Sequence, residues 1–135
     1  MADKYRLYDF LTTRGRNAIL EWVKRERLSS RDRAMLNQKL TRLAQLDYDL
    51  AIDTKLLAGP IYKSIYKLVI HGDVMLRPML CRGPIQPKEE YTLLLGATER
   101  DWQLPEGAKE QADQRRTVVI NNPSRRKLHE RIPKH

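Results

Sequence analysis

Three strand-like runs follow one another in the middle of this chain, and they constrain its fold more than any other feature. They cover residues 61–70, 74–81 and 90–96, inside the stretch from Lys55 to Asp101. A tight turn of the hairpin kind at residues 71–73 separates the first two runs, and a longer loop with two prolines separates the last two. Consecutive strands with short connections pair antiparallel, so the pattern predicts a three-stranded meander.

Two amphipathic segments precede these strands. Apolar residues recur at helical spacing between Arg16 and Arg27, and a stripe of leucines follows over residues 36–43. Residues 29–32 resemble a capping box that opens the second helix, and residues 4–11 read as a first strand. The order predicts an α+β fold, in which a small twisted antiparallel sheet carries an N-terminal two-helix hairpin packed on one face.

The composition of the chain changes after Trp102. A short helix is predicted over residues 108–116, and a short extended piece over 118–120. From Gln114 onward seven Lys and Arg residues stand against one acid, Glu130. We therefore expect a domain over residues 1–113 and a basic C-terminal extension over 114–135, with His129 and His135 in a mobile tail.

The charge balance favours a polyanionic partner. The chain has 26 Lys and Arg against 17 Asp and Glu, a net charge of +9. Simple solubility is the alternative explanation. No apolar run approaches the ~20 residues of a membrane span, and the first residues lack the apolar core of a signal peptide. These features predict a soluble cytoplasmic protein without a membrane partner.

Metal, cofactor and thiol chemistry find little support in the sequence. The three histidines are spread out without ligand spacing, so no metal site is predicted, and no cofactor is expected because no glycine-rich phosphate loop is present. Cys81 is the single cysteine, and its strand-like setting indicates a small buried hydrophobe. A nucleophilic pair of Cys81 with His71 would need an activated thiol, and an unactivated strand cysteine is the favoured interpretation.

The remaining chemistry is cationic. Lys63 and Lys67 share one face of their predicted strand, and Arg77 lies on the next one. Metal-free cleavage of RNA needs a proton removed from the 2′-hydroxyl, positive charge around the phosphorane, and a proton for the 5′-oxygen. Lys and Tyr can transfer protons and Arg can clamp a phosphate. The alternative is that these lysines form the solvent face of a half-buried sheet.

Short motifs in a fixed order carry a resemblance to a known family. They are Lys55-Leu56-Leu57-x-Gly59, then Ile65-Tyr66-Lys67-Leu68, then Leu76-Arg77, then Leu93-Leu94-Leu95-Gly96-Ala97-Thr98. Over about residues 5 to 115 the chain resembles the RelE/ParE/HigB toxin superfamily, and most closely its phage-derived HigB-like branch. Where HigB-like members commonly carry two lysines after the last strand, this chain has Thr98, Glu99, Arg100 and Asp101.

The resemblance implies a RelE-like fold and a toxin that is paired with an antitoxin containing a helix-turn-helix domain. Many members cleave mRNA in the ribosome, whereas ParE-like members inhibit a topoisomerase. Arg77 matches the strand arginine at the phosphate, and Lys55, Tyr66 and Lys67 match positions that are often basic or aromatic. Arg100 stands near the family's basic pair.

The leading hypothesis is a toxin-like, RNA-binding, metal-free mRNA endoribonuclease, with catalytic roles for Arg77, Lys67, Lys55 and Tyr66. RNA contacts are expected from further cations: Lys63, Arg82, Arg100, Arg115, Arg116, Arg125, Arg126 and Lys127. The alternative is a non-catalytic phage or prophage protein that kept the fold and binds nucleic acid or a host protein.

Overall fold

The computed structural model describes residues 2–134. Its helices are α1 (Ala18–Arg25), α2 (Ser30–Gln45), α3 (Tyr48–Asp53) and α4 (Ala108–Asn121). Its strands are β1 (Arg6–Phe10), β2 (Leu57–Tyr62), β3 (Ile65–Leu68), β4 (Ile70–His71), β5 (Met75–Leu76), β6 (Met79–Arg82), β7 (Glu90–Leu95), β8 (Thr98–Glu99) and β9 (Arg126–Leu128). None of the helices described between residues 2 and 134 is long and apolar enough to cross a membrane.

Most of the strands form one six-stranded sheet in the order β2-β3-β6-β7-β1-β9. Every neighbouring pair is antiparallel except β1 and β7, which run parallel. Strands β4, β5 and β8 form a separate three-stranded sheet. The predicted α+β class is therefore confirmed. The sheet was predicted to be antiparallel and is mostly so, while the parallel pair and the second sheet were not predicted.

The predicted strand over residues 61–70 was wrong as a single element. The chain turns back at Lys63 and Ser64, so that β2 and β3 pair as a hairpin and β4 joins the second sheet. Strand β2 begins earlier than predicted and includes Gly59 and Pro60, and its register with β3 shifts between Ala58 and Tyr62. The alternation of apolar residues continues through both arms of the hairpin, which is why it resembled one long strand.

Helices α1, α2 and α3 cover one face of the large sheet. Trp22 of α1 and Leu40 of α2 pack with Leu80 and Leu93 of the strands in the larger of two apolar clusters. The predicted start of the second helix is confirmed, because the Ser29 side chain accepts a hydrogen bond of 3.1 Å from the Asp32 backbone N–H.

Helix α4 covers the opposite face, so the sheet lies between two helical layers. Ala112 and Val119 pack with Met79, Cys81 and Leu94 in the second apolar cluster. The predicted extended piece at 118–120 was wrong, since these residues belong to α4.

The basic C-terminal segment is part of the fold. Helix α4 runs through the predicted boundary at residue 113, and β9 pairs antiparallel with β1. The backbone N–H of His129 donates to the Leu7 carbonyl at 2.9 Å, so the prediction of a mobile tail was wrong for His129. His135 lies outside the described residues.

The predicted hairpin turn at residues 71–73 is confirmed between β4 and β5. The buried carboxylate of Asp32 accepts hydrogen bonds from the backbone N–H of Asp73 at 2.7 Å and of Val74 at 3.2 Å. A Cβ atom at Gly72 would collide with this carboxylate, so the turn needs glycine where the helix reaches it.

Candidate phosphate-binding site

A pocket of about 220 Å³ lies at one end of the large sheet. The turn between β2 and β3, the last residue of β6 and helix α4 meet there. Its lining brings together four residues that the sequence singled out, with three neighbours: Lys63, Tyr66, Arg82 and Arg116, beside Pro60, Ser64 and Pro87. The lining has three cations and no carboxylate, which makes the pocket suitable for an anion.

The two arginines of this pocket have unused donors. Within residues 2–134 neither Arg82 nor Arg116 forms an ion pair, and the Nε atom of each is buried without a hydrogen-bond partner. A buried donor without an acceptor costs roughly 1–3 kcal/mol. An anion in the pocket would meet the terminal N–H groups of the two guanidiniums, which have no hydrogen-bond acceptor among the described residues.

Stacking fixes the orientation of Arg82. Its guanidinium carbon lies 3.9 Å from the centre of the Tyr48 ring, at the start of α3. A planar guanidinium on an aromatic face keeps its N–H groups pointing outward from the ring edge. The sequence analysis missed Tyr48, because the pairing of α3 with the end of β6 depends on tertiary contacts that no local pattern reveals.

Lys63 adds a third, more mobile charge. It lies in the turn between β2 and β3 with a left-handed backbone (φ 50°). Its ammonium is 3.6 Å from an Asp113 carboxylate oxygen, and its side chain is 63% exposed. An exposed ion pair contributes roughly 0–1 kcal/mol, so this lysine can exchange its partner for a phosphate at little cost.

Tyr66 presents a protonated phenol beside these cations. Its hydroxyl shares a hydrogen bond of 2.8 Å with the Tyr48 hydroxyl. Burial, followed by the hydrogen bond and charge interaction with Tyr48, raises the pKa of Tyr66 to about 12. The phenol therefore stays protonated at neutral pH and has a proton to donate, and the raised pKa makes it a weaker acid than an ordinary tyrosine.

Arg77 does not reach this pocket. It is buried, with Nη2 3.0 Å from the Glu99 carboxylate and Nη1 donating to the carbonyls of Ile70 at 3.1 Å and Leu76 at 2.9 Å. Arg77 thus ties together the three strands of the small sheet. A guanidinium engaged in this way is unavailable to a substrate phosphate. The ion pair also explains why Glu99 stands where the resemblance led us to expect a basic pair.

Lys55 and Lys67 are also outside the pocket. Lys55 is exposed just after α3, and Lys67 points to the face of β3 opposite to Tyr66, since neighbouring residues of a strand alternate. The four residues predicted to be catalytic therefore do not converge on one point.

Three further arginines expected to bind RNA hold the fold instead. Arg126 donates to Glu90 and Thr92, Arg125 donates to the Leu11 carbonyl, and Arg115 donates to the Leu94 carbonyl. Burial, and then the nearby charge of Arg25, lower the pKa of Arg115.

The last two predicted RNA contacts are exposed and already paired. Arg100 lies 2.8 Å from Glu26, and Lys127 lies 3.5 Å from Glu130. Neither lines the pocket, so among the predicted RNA contacts the structure brings together Lys63, Arg82 and Arg116 there.

Thiol and metal chemistry find no support in the described part of the chain. Cys81 is confirmed as a buried side chain, and burial raises the pKa of its thiol to about 12, which keeps it unreactive. His71 is exposed and contacts Met75. Between residues 2 and 134 no group of three or more His, Cys, Asp or Glu side chains is placed to hold a metal ion.

Comparisons with protein-family models, with curated proteins and with solved structures found no match to this chain. The interpretation of the site depends on its own geometry.

Proposed function

We propose that this protein binds single-stranded RNA, with one backbone phosphate held between Arg82 and Arg116. The observation that carries the proposal is that two arginines line one acid-free pocket and that neither side chain has an ion pair or a hydrogen bond among the described residues. A phosphate offers several charged oxygens, and charge-assisted hydrogen bonds from arginine are the strong kind. The toxin-like order of sequence motifs directs the choice of RNA as the polyanion.

The pocket volume suits one phosphate with its sugar and does not suit a duplex. At about 220 Å³ it holds a single backbone unit. Lys63 lies at the rim on a flexible side chain, where it would neutralise the same phosphate or its neighbour. The net charge of +9 would add attraction at long range and a strong dependence on salt.

Equilibrium binding to a fluorescent single-stranded RNA at several salt concentrations tests the proposal. The double variant R82M/R116A should lower the affinity at least tenfold, since each lost charge-assisted bond costs about 1.5 kcal/mol or more. The slope of log K against log salt should shrink by about 0.7 for each lost phosphate contact.

The matched control is R14A/R42A, which removes the same charge from two exposed positions outside the pocket. Equal losses in both double variants would show that binding reflects total charge only, and the proposed pocket would be rejected.

RNA cleavage is the second candidate, and the position of Tyr66 in the same pocket as Arg82 and Arg116 favours it. In this scheme the 2′-oxygen bonds to phosphorus and loses its proton to water, while the 5′-oxygen leaves with a proton from Tyr66. Arg82 and Arg116 would stabilise the charge on the phosphorane oxygens. This is the metal-free endoribonuclease activity of a toxin-like protein, with a helix-turn-helix antitoxin as the proposed partner.

Induced expression tests cleavage separately from binding. The wild type should arrest growth and fragment mRNA, and Y66F should relieve the arrest because it removes the proton and keeps the ring. Y62F is the control, since Tyr62 is a half-buried tyrosine in the same hairpin. Normal growth with intact mRNA, despite RNA binding in vitro, would favour the non-catalytic binding protein.

A further inference from the structure

We propose that a second cavity, between α2 and the β1–β9 edge of the sheet, binds a phosphorylated small molecule or a phosphorylated RNA end through His129 and Arg131. The cavity has a volume of about 620 Å³. Small-molecule sites typically measure roughly 300–1,000 Å³. It is separate from the Arg82 pocket, which lies at the β2–β3 side of the same sheet.

A buried carboxylate orients His129. Nδ1 of the imidazole lies 2.9 and 3.0 Å from the two carboxylate oxygens of Asp9. Asp9 is buried and also accepts a hydrogen bond of 2.8 Å from the Asn17 side chain. Because a carboxylate only accepts, Nδ1 carries a proton, and Nε2 is the ring nitrogen left for a ligand. Nε2 donates to a phosphate oxygen when the ring holds a proton on both nitrogens, a form whose charge the Asp9 carboxylate balances.

Arg131 supplies a second donor group without a partner. It lines the same cavity, is exposed, and has no ion pair or hydrogen bond within the described residues. Lys4 and Arg6 also line the cavity, but Lys4 is paired with Asp47 at 2.7 Å and Arg6 with Glu89 at 3.6 Å. The lining has two carboxylates, Glu89 and the exposed Asp3. An anion would therefore be held first by His129 and Arg131.

The segment that carries these two residues is anchored at both ends. On one side the His129 backbone N–H donates to Leu7. On the other, the Asn37 side chain makes two hydrogen bonds to the backbone of Ile132, of 2.9 and 2.7 Å. A fixed segment costs little backbone ordering entropy on binding, and the Asp9 contact also holds the His129 ring in place.

The rest of the cavity wall suits an organic group. Tyr5, Leu7, Leu40, Ala44 and Leu128 contribute apolar surface around the charged rim. A phosphate attached to a sugar and base would place its charge on His129 and Arg131 and its apolar part on this wall. Free inorganic phosphate would use only the first half of the site.

Nuclear magnetic resonance of the histidine rings in the full chain tests the proposal. Titration with adenosine monophosphate should shift the His129 ring nitrogens saturably, and adenosine, which lacks the phosphate, should not. His71 is exposed in the turn between β4 and β5 and serves as the internal control. The absence of a saturable His129 shift, or an equal response to adenosine, would overturn the proposal.

Variants separate this site from the RNA pocket. R131A removes an exposed, unpaired side chain and should weaken the nucleotide about tenfold, the loss of one charge-assisted hydrogen bond. R82M should leave nucleotide binding unchanged. H129Q keeps a donor for Asp9 and should also weaken binding. If R131A binds as tightly as the wild type, the cavity is not the site.

A competition experiment with RNA oligonucleotides distinguishes an RNA end from a small molecule as the source of the phosphate. A 5′-phosphorylated oligonucleotide that competes with the nucleotide, where its 5′-hydroxyl counterpart does not, would identify an RNA end as ligand. Competition by neither would identify the small molecule.

Discussion

Arg77 and Arg82 lie five positions apart in the chain and have opposite surroundings. Arg77 is buried against Glu99 and two carbonyls, with its hydrogen-bonding capacity taken up by the small sheet. Arg82 stacks on Tyr48 and keeps a buried Nε without an acceptor. The comparison teaches that acceptors within reach decide whether an arginine is committed to the fold or keeps unpaired donors.

The largest expected effect is on the Arg77 side of this comparison. Arg77→Met should lower the free energy of unfolding by about 3–5 kcal/mol, because it leaves the largely buried Glu99 carboxylate unpaired. Urea denaturation measures it. A loss below about 1 kcal/mol would mean that the ion pair holds nothing in place.

Growth relief by an Arg77 variant would therefore be ambiguous, since loss of folding relieves arrest as well. Glu99→Gln keeps a hydrogen-bond acceptor for Arg77 and serves as the milder comparison for stability.

Arg82→Met should have the opposite profile. RNA affinity should fall about tenfold, the loss of one charge-assisted bond, while the free energy of unfolding should change by less than about 1 kcal/mol. The methionine side chain can still cover the Tyr48 ring, and the unpaired Nε disappears. Binding and denaturation measured on one preparation check the prediction. A large loss of stability with unchanged binding would reverse the assignment of the two arginines.

The contribution of the Tyr66 phenol to the free energy of unfolding should depend on pH. Its pKa is raised from 10.0 to about 12, so the folded state holds this proton more tightly than the unfolded chain does. The resulting stability is present below pH 10 and is lost as the pH rises toward 12. Between pH 9 and 11, urea denaturation should show a shallower decline in Y66F than in the wild type, by at most about 1 kcal/mol. Parallel declines in the two proteins would contradict the raised pKa.

The smallest effect is expected at Lys63. Lys63→Gly relieves a left-handed backbone, so it should be more stable than Lys63→Ala by about 0.5–1 kcal/mol. Both variants should weaken RNA binding by a similar factor of about two to five, since both remove one exposed charge. Thermal denaturation checks the difference in stability, and the RNA-binding assay checks the loss of affinity. If only Lys63→Ala weakened binding, the backbone of the turn and not the charge would be responsible.

Local patterns predicted the parts of the fold that local chemistry determines. The Ser29 cap and the turn at residues 71–73 follow from side chains a few positions apart, and both are confirmed. The sequence analysis missed features that depend on distant register: the parallel pairing of β1 with β7, and the return of β9 to β1. The RelE-like assignment stays a prediction.

In the candidate sites, too, residue type indicated some features, and others depend on contacts between distant residues. Residue type singled out Tyr66 as catalytic and Lys63, Arg82 and Arg116 as RNA contacts, and the structure places these four in one pocket. Their roles stay predictions. It could not show that Arg77 faces Glu99, or that Asp9 and His129, 120 positions apart, meet across two strands. A carboxylate between Tyr8 and Phe10 in the first strand was the available signal for Asp9, since a buried carboxylate needs partners.

The pairing of β9 with β1 has a consequence for the behaviour of the protein in solution. An uncovered outer strand is a template on which another molecule can add its own strand. The outer strands of this sheet are β9, which has three residues and carries Arg126 and Lys127, and β2, which carries Pro60 with no N–H to offer. Removing residues 126–135 would uncover β1, and we expect the shortened protein to self-associate into larger species on gel filtration.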